Sequence, residues 1–143
     1  MAEPQNLKNH SRIVPGFHIL TGVMLVVNLF GAVHVMLHNR SATGFHALVL
    51  ALSLAFVAFY ARAFAVGVQD RVIRLEMRLR VKELVPPLAS RFDELAIGQV
   101  VALRFAGDDE LASLMQQVLD GKLAKPADIK AAVKHWKADT LRV

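Results

Sequence analysis

The chain is 143 residues long, 55% of them hydrophobic, and it contains no cysteine. This length allows one small folded unit beside a membrane segment but excludes two large domains. The absence of cysteine excludes disulfides, thiolate metal sites, thiol catalysis and covalently attached haem. The formal net charge is +5, and the basic excess is concentrated at residues 62–85, whereas residues 86–143 are neutral.

Two long apolar runs dominate the first half of the chain, at residues 17–37 and 45–68. A helix that crosses ~30 Å of hydrocarbon needs about 20 mostly apolar residues, and both runs meet that length. They predict a transmembrane helical hairpin over residues 17–68, preceded by a polar arm at residues 1–16 and followed by a helical domain at residues 69–143. The first run is longer than the apolar part of a signal peptide, so we expect it to be retained.

The first apolar run carries a polar residue, Asn28, near its middle, and the second run is rich in alanine. Small residues allow two membrane helices to approach closely. An asparagine inside a bilayer needs a hydrogen-bond partner. We therefore expect Asn28 to face the second helix or another subunit.

The second apolar run has no evident stop at the membrane surface, and helix-forming sequence continues to Pro86 and Pro87. The residue before a proline is disfavoured in the α conformation, so one continuous helix is predicted over residues 45–85. No strand pattern follows, and the predicted class is all-α. Three short helices are expected at residues 88–106 (with a candidate break at Gly98), 110–121 and 126–139.

The predicted helix at residues 110–121 carries signals at both ends. Gly107, Asp108 and Asp109 provide a break and an N-cap, and Gly121 suits the left-handed conformation that ends a helix. Together with Glu110 these aspartates form an acidic triplet at a helix start. The helix dipole accounts for such a triplet, so neither a metal site nor an acid–base role is predicted there.

An apolar stripe continues along the second helix beyond the membrane segment. Val68, Val72, Leu75 and Leu79 follow a 4-3-4 spacing. Because the repeat is short, packing against the C-terminal helices is favoured over a coiled coil. The core predicted on this basis consists of Leu75, Leu79, Ile129, Val133 and Trp136.

Basic side chains cluster where the second helix leaves the apolar run. Lys and Arg near helix ends set membrane orientation, so both termini are expected on the cytoplasmic side. Anionic lipid head groups explain most of the cluster, and an acidic protein partner is the second interpretation. Nucleic acid is not expected as a partner, because stacking aromatics are missing from the cluster. The predicted lipid or partner contacts are Arg71, Arg74, Arg78, Arg80 and Lys82.

Three histidines lie near the hairpin turn: His34 and His38 share a helix face, and His46 begins the second run. Imidazoles on two helices hold haem b in membranes, and three histidines suit a divalent metal. Histidines resting at the membrane edge are the plainer interpretation, which we prefer because no group that would orient the rings is evident. No phosphate-binding loop, nucleophile elbow or zinc-protease motif is present, so no catalytic residue and no resident cofactor are predicted.

Four segments carry a resemblance to a known family: PQNLKNHSRIVPGFH at residues 4–18, RLEMRLRVKEL at 74–84, GQVVALRF at 98–105 and IKAAVKHWKADTLRV at 129–143. They resemble an uncharacterised bacterial family of small proteins with two transmembrane helices and a helical cytoplasmic tail. The resemblance spans essentially the whole chain and implies a location in the bacterial inner membrane. It brings no activity, substrate or cofactor.

These features predict a non-enzymatic, multi-pass integral membrane protein. The favoured function is that of a small accessory or scaffold subunit of a larger membrane assembly, in contact with lipids and with a protein partner or further copies of itself. The alternative is a redox membrane subunit that binds haem b or a metal through His34, His38 or His46. The expected architecture is a hairpin, an extended second helix and a small bundle of short helices.

Overall fold

The computed structural model of the protein describes residues 5–7, 9, 14–39 and 41–139. Over these residues the fold is all-helical, as predicted, with one isolated backbone bridge between Ala106 and Trp136. Most of the predicted polar arm at residues 1–16 lies outside the described residues. The chain forms two compact units: Arg12–Ala65, called the hairpin, and Val66–Val143 together with Met1–Ser11, called the C-terminal domain.

Both predicted apolar runs form helices. Helix α1 covers Gly16–His38, with a π-helical first part at Gly16–Thr21, and helix α2 begins at Ala42. The turn between them is tight. A side-chain carbon at Gly44 would lie 2.7 Å from the carbonyl oxygen of Asn39, so this close approach requires glycine.

The hairpin has almost no interior. Its buried described residues are all small, namely Ala32, Gly44 and Ala51, as close approach of two helices requires. Both helices are long and apolar enough to cross a membrane, and only 6% of the most apolar stretch of each is buried. Their large apolar side chains therefore point away from the protein.

Helix α2 is continuous over Ala42–Leu84 and ends just before Pro86, as predicted. The predicted helix at residues 88–106 is wrong in its extent. A 3-10 helix covers Pro86–Glu94, and α3 covers only Ile97–Leu103. The break falls at Leu95 and Ala96 instead of Gly98, because the Ala96 N–H is satisfied by the Gln99 side chain at 2.9 Å.

The last two helices are shorter than predicted. Helix α4 covers Leu111–Leu119, and Gly121 behind it has the predicted left-handed conformation with φ 75°. Helix α5 covers Pro126–Ala132, so the prediction of a helix to residue 139 is wrong. The chain beyond α5 pairs instead with the backbone behind α3, where the Lys137 N–H donates to the Phe105 carbonyl at 2.8 Å.

The core of the C-terminal domain lies where α3 packs against α4 and α5. The predicted core residues Ile129 and Val133 are buried, which confirms them. Trp136 is half-buried against Phe105, with 5.1 Å between the ring centroids. The largest fully buried side chains are Phe92, Leu103, Phe105, Leu111, Met115 and Ile129.

Helix α2 contributes a different face to this core from the one predicted. Ile73, Met77 and Val81 are 4%, 3% and 1% exposed and belong to the core cluster. Leu75 and Leu79 are 63% and 68% exposed, so their prediction as core residues is wrong. At 3.6 residues per turn the two sets lie on nearly opposite sides of α2. Both have helical spacing, and only contacts with distant elements decide which one is buried.

Candidate functional site

The side of α2 that faces away from the core is apolar along its length. Val68, Val72, Leu75 and Leu79 form this surface, called the outer face, and they are 61%, 47%, 63% and 68% exposed. Single exposed apolar residues are common, but a continuous row on one helix is typical of an interaction surface. The outer face is therefore the strongest candidate functional surface of the C-terminal domain.

Charged side chains of opposite sign border the outer face. Arg71 and Arg78 lie along one edge, and Glu76 and Glu83 along the other, as their spacing at 100° per residue requires. Among the described residues, no ion pair involves Arg71, Glu76 or Glu83. These three charges are available to a partner.

Two of the predicted lipid or partner contacts are used within the domain. Arg74 donates to the Asp93 carboxylate at 3.2 Å, and Arg78 pairs with the same carboxylate. Both guanidinium groups also lie over the Phe92 ring, at 6.0 Å and 5.5 Å from its centroid. These contacts attach α2 to the 3-10 helix.

A third predicted contact, Arg80, joins α2 to the turn behind α3. Its guanidinium donates to Asp108 Oδ1 at 2.6 and 2.9 Å and to the Ala106 and Arg104 carbonyls at 2.6 and 3.2 Å. The side chain is only 13% exposed. Arg80 is therefore a structural residue of the domain. Of the five predicted contacts, Arg71 and Lys82 remain exposed, and for them the prediction stays a prediction.

The N-cap of α4 that was predicted within residues 107–109 is wrong, and the acidic triplet makes other contacts. Glu110 occupies the N-cap position without a side-chain cap bond. Its carboxylate instead accepts the backbone N–H groups of Lys134 and His135, at 3.1 and 2.9 Å. Asp109 pairs with the His135 ring, and Asp108 with Lys137 at 3.1 Å. The triplet thus holds the segment beyond α5 in place.

These pairings stabilise the ionised form of two carboxyl groups. Hydrogen bonds from the Arg80 guanidinium and then from the Lys137 ammonium lower the pKa of Asp108. A hydrogen bond with the His135 ring lowers the pKa of Asp109. The pKa shifts follow from structural ion pairs, which perturb pKa values as active sites do.

The candidate haem ligands lie at the turn end of the hairpin. The His34 and His38 rings stack on the same helix with 4.1 Å between centroids and 30° between planes. His38 Nδ1 lies 2.9 Å from the His34 carbonyl oxygen, so this nitrogen is engaged by the backbone. His46 is exposed on α2. Among the described residues, no three His, Asp or Glu side chains form a group that could hold a metal ion.

Asn28 lines a groove on the hairpin together with Thr21 of α1 and Leu54, Val57 and Ala58 of α2. The groove has a volume of about 430 Å³. No hydrogen bond to the Asn28 side chain exists within the described part of the chain, and the residue is exposed. Asn28 thus lies beside the second helix, and the expectation that it faces this helix or another subunit stays a prediction.

The comparison with family models covers the entire chain. The model of the Family of unknown function (DUF6526) matches residues 1–143. The chain belongs to this family. Comparison with curated proteins and with solved structures gave no match. Membership of DUF6526 therefore confirms the resemblance to one uncharacterised family over the whole chain, and it adds no activity.

Sequence reasoning on this DUF6526 chain missed the outer face as a separate surface. The 4-3-4 spacing of Val68, Val72, Leu75 and Leu79 predicts a row that packs against the C-terminal helices, whereas the structure leaves this row exposed. A second apolar row on the same helix, formed by Ile73, Met77 and Val81, indicates that both faces of α2 need a partner, but it does not indicate which face the domain buries. A helix with two opposite apolar rows needs a partner on each side.

Proposed function

We propose that the protein is a non-catalytic integral membrane protein of the bacterial inner membrane, a small accessory or scaffold subunit of a larger membrane assembly. One observation carries this proposal. Helix α2 exposes large apolar side chains from the hairpin turn to Leu79, over a length much greater than a bilayer needs. Lipid accounts for the first part of this surface and a protein for the second.

Membrane insertion is supported by the surface of the hairpin. In a soluble protein, a helix as apolar as α1 would be buried, but only 6% of its most apolar stretch is covered. The backbone groups of both helices are satisfied within the helices, which is the condition for crossing hydrocarbon. A bilayer is therefore the solvent that suits this surface.

The proposed orientation places both termini in the cytoplasm. Between residues 62 and 85 the chain carries six basic and three acidic side chains, whereas Arg40 is the single charged residue between the two apolar runs. Basic residues near helix ends are retained on the cytoplasmic side. Arg71, which is exposed just beyond the second apolar run, would contribute about 1 kcal/mol of attraction to anionic lipid near the surface.

The accessory role is supported by how the C-terminal domain uses its polar side chains. Arg74, Arg78 and Arg80 connect α2 to the rest of the domain. The domain is thereby attached to α2 as one packed unit, with the outer face left exposed. A packed unit with an exposed apolar surface suits the binding of a partner, as a scaffold requires.

The absence of cysteine permits a direct test of the orientation. Thr43→Cys places a thiol at the hairpin turn, and Ser113→Cys places one on α4, both at exposed positions. In spheroplasts, a membrane-impermeant maleimide should label Thr43→Cys at once and Ser113→Cys only after the membrane is broken. The cysteine-free parent is the control, and the reverse pattern would contradict the orientation.

The accessory role is tested by the size and the protein composition of the complex that contains this chain. After mild solubilisation, the tagged chain should migrate on a native gel above the size of two copies and retain a second protein in constant ratio. Recovery of the free chain alone, or of copies of this chain alone, would contradict the role as a subunit of a larger assembly.

The competing function is a redox subunit that binds haem b. The exposed imidazoles of His34 and His38 on α1 and of His46 on α2, all near the hairpin turn, would be its candidate ligands. An absorption spectrum of the purified protein decides between the two. A Soret band that disappears in His38→Ala or His46→Ala would establish the redox function, and a colourless, metal-free protein would eliminate it.

A further inference from the structure

We propose that the outer face of α2 pairs with the outer face of a second copy of this chain, as a short parallel two-stranded coiled coil. The inference rests on the proposed function in one respect, the insertion of every copy into one membrane with the same orientation. Three observations carry it: the spacing of the apolar residues, the charges that border them, and the side of α2 used by the core.

The spacing fits a heptad repeat with positions lettered a to g. Val72 and Leu79 fall at positions a, and Val68 and Leu75 at positions d. All four side chains are exposed, at 47% or more. Val72 at a with Leu75 at d is the pair that favours two parallel strands, whereas Leu79 at a and Val68 at d are the reverse pair. The apolar residues therefore define the contact surface, and the charges beside them define the orientation of the two helices.

The charges that border the outer face favour a parallel pair of helices. In this register Arg71 and Arg78 occupy positions g, and Glu76 and Glu83 occupy positions e. In a parallel pair, each g residue faces the e residue five positions later on the other helix. Arg71 then faces Glu76 of the second copy, and Arg78 faces Glu83 of the second copy. In an antiparallel pair, arginine would face arginine and glutamate would face glutamate.

The core of the domain leaves this face open to such a partner. Ile73, Met77 and Val81 are directed into the domain from nearly the opposite side of α2. Arg78 is shared, because it also pairs with Asp93 of its own chain. Neither Arg71 nor Glu76 has an ion pair among the described residues. The contact of Arg71 with Glu76 of the second copy is therefore a clearer electrostatic test than the contact of Arg78 with Glu83.

Insertion of both copies into one membrane compensates for the small apolar surface of a short repeat. Two heptads bury too little apolar surface for firm association of separate helices in solution. Copies held in one bilayer by α1 and α2 emerge in the same direction and at high effective concentration. Both effects favour the parallel pair and disfavour the antiparallel one.

Cross-linking in membranes tests the proposal, since the natural chain contributes no thiol. Leu75→Cys lies at position d and Leu84→Cys at position f, and both leucines are exposed on α2. On oxidation of membranes that contain two differently tagged copies, Leu75→Cys should give a disulfide-linked dimer carrying both tags. Leu84→Cys, the matched control, should remain monomeric.

Charge reversal gives an independent readout in the Leu75→Cys background. Arg71→Glu should reduce the dimer severalfold, because it places two glutamates opposite each other. Adding Glu76→Arg should restore the dimer, because the pair is re-formed with the charges exchanged. Failure of the double variant to restore the dimer would overturn the parallel register.

Other occupants of the outer face give distinct results. A Leu75→Cys cross-link to a different protein would overturn the pairing of two copies and leave the accessory role intact. A monomer at Leu75→Cys, or equal dimer at Leu84→Cys, would also overturn the pairing. A dimer formed only between Val68→Cys and Leu79→Cys copies would indicate antiparallel helices. Conversely, a correct dimer that purifies without any other protein would support the pairing and contradict the accessory role.

Discussion

The hairpin and the C-terminal domain contain the same kinds of apolar side chain and place them in opposite positions. In the hairpin the buried residues are small and the large ones, such as Phe30 and Phe56, are 72% and 61% exposed. In the C-terminal domain the large ones, such as Phe92 and Phe105, are 2% and 0% exposed. The difference teaches that the two units suit different solvents, which supports the proposal of lipid around the hairpin and water around the C-terminal domain.

Helix α2 belongs to both arrangements. Its first part presents apolar residues outward, and its last part buries one apolar row while exposing another. The exposed row, the outer face, fits neither arrangement. It is apolar and exposed, yet most of it lies beyond the length of helix that a bilayer would cover. This exception is what makes the outer face informative about function.

The largest expected effect comes from removing core volume in the C-terminal domain. Phe105 is fully buried and packs beside Trp136, so Phe105→Ala should destabilise the domain by about 3–5 kcal/mol. That is comparable with the whole stability of so small a domain. Limited proteolysis should then cut rapidly beyond Pro86 and leave the hairpin protected in the membrane.

Leu79→Ala is the matched control for this experiment. Because Leu79 is 68% exposed, its truncation should leave the protease pattern of the domain unchanged. Rapid cleavage in Leu79→Ala, or a resistant domain in Phe105→Ala, would contradict the assignment of the two faces of α2.

The second expected effect concerns the contact of Arg80 with the turn behind α3. Arg80→Met removes donors from Asp108 and from the Arg104 and Ala106 carbonyls. Loss of partners for buried polar groups costs about 1–3 kcal/mol, so the urea midpoint of the domain should fall clearly. Lys82→Met, at an exposed position of the same helix, should change stability by less than about 0.5 kcal/mol. Equal effects of the two changes would refute the structural role of Arg80.

The third expected effect is a dependence of domain stability on acid. Arg80 and Lys137 lower the pKa of Asp108 in the folded state below its unfolded value of about 3.9. The stabilisation is thus complete above pH ~4 and is lost as pH falls through the lower, folded pKa. Urea midpoints measured from neutral pH down to about pH 3 should decline, and Asp108→Asn should flatten that decline. Because Asp108 is 55% exposed, screening keeps the effect smaller than the two above.

The parts of the fold that depend on local signals were predictable from the sequence. The two apolar helices, the end of α2 before Pro86 and the left-handed Gly121 follow from composition and from backbone preferences at single residues. The buried face of α2 was not predictable, since it is fixed by contacts such as that of Arg80 with Asp108, 28 residues away. The role of the acidic triplet was not predictable for the same reason, because the partners of Glu110, Lys134 and His135, lie 24 and 25 residues away, beyond α5.

The chain carries a single tryptophan, Trp136, and it lies in the C-terminal domain. Its fluorescence therefore reports on that domain alone, while far-ultraviolet circular dichroism reports on all helices. In urea, with the protein in lipid nanodiscs, Trp136 should show one cooperative transition while the helical signal of the hairpin persists, because the bilayer holds the hairpin together. Loss of the full helical signal in the same transition, or a Trp136 signal that changes gradually without a transition, would contradict the central claim of two units built for different solvents.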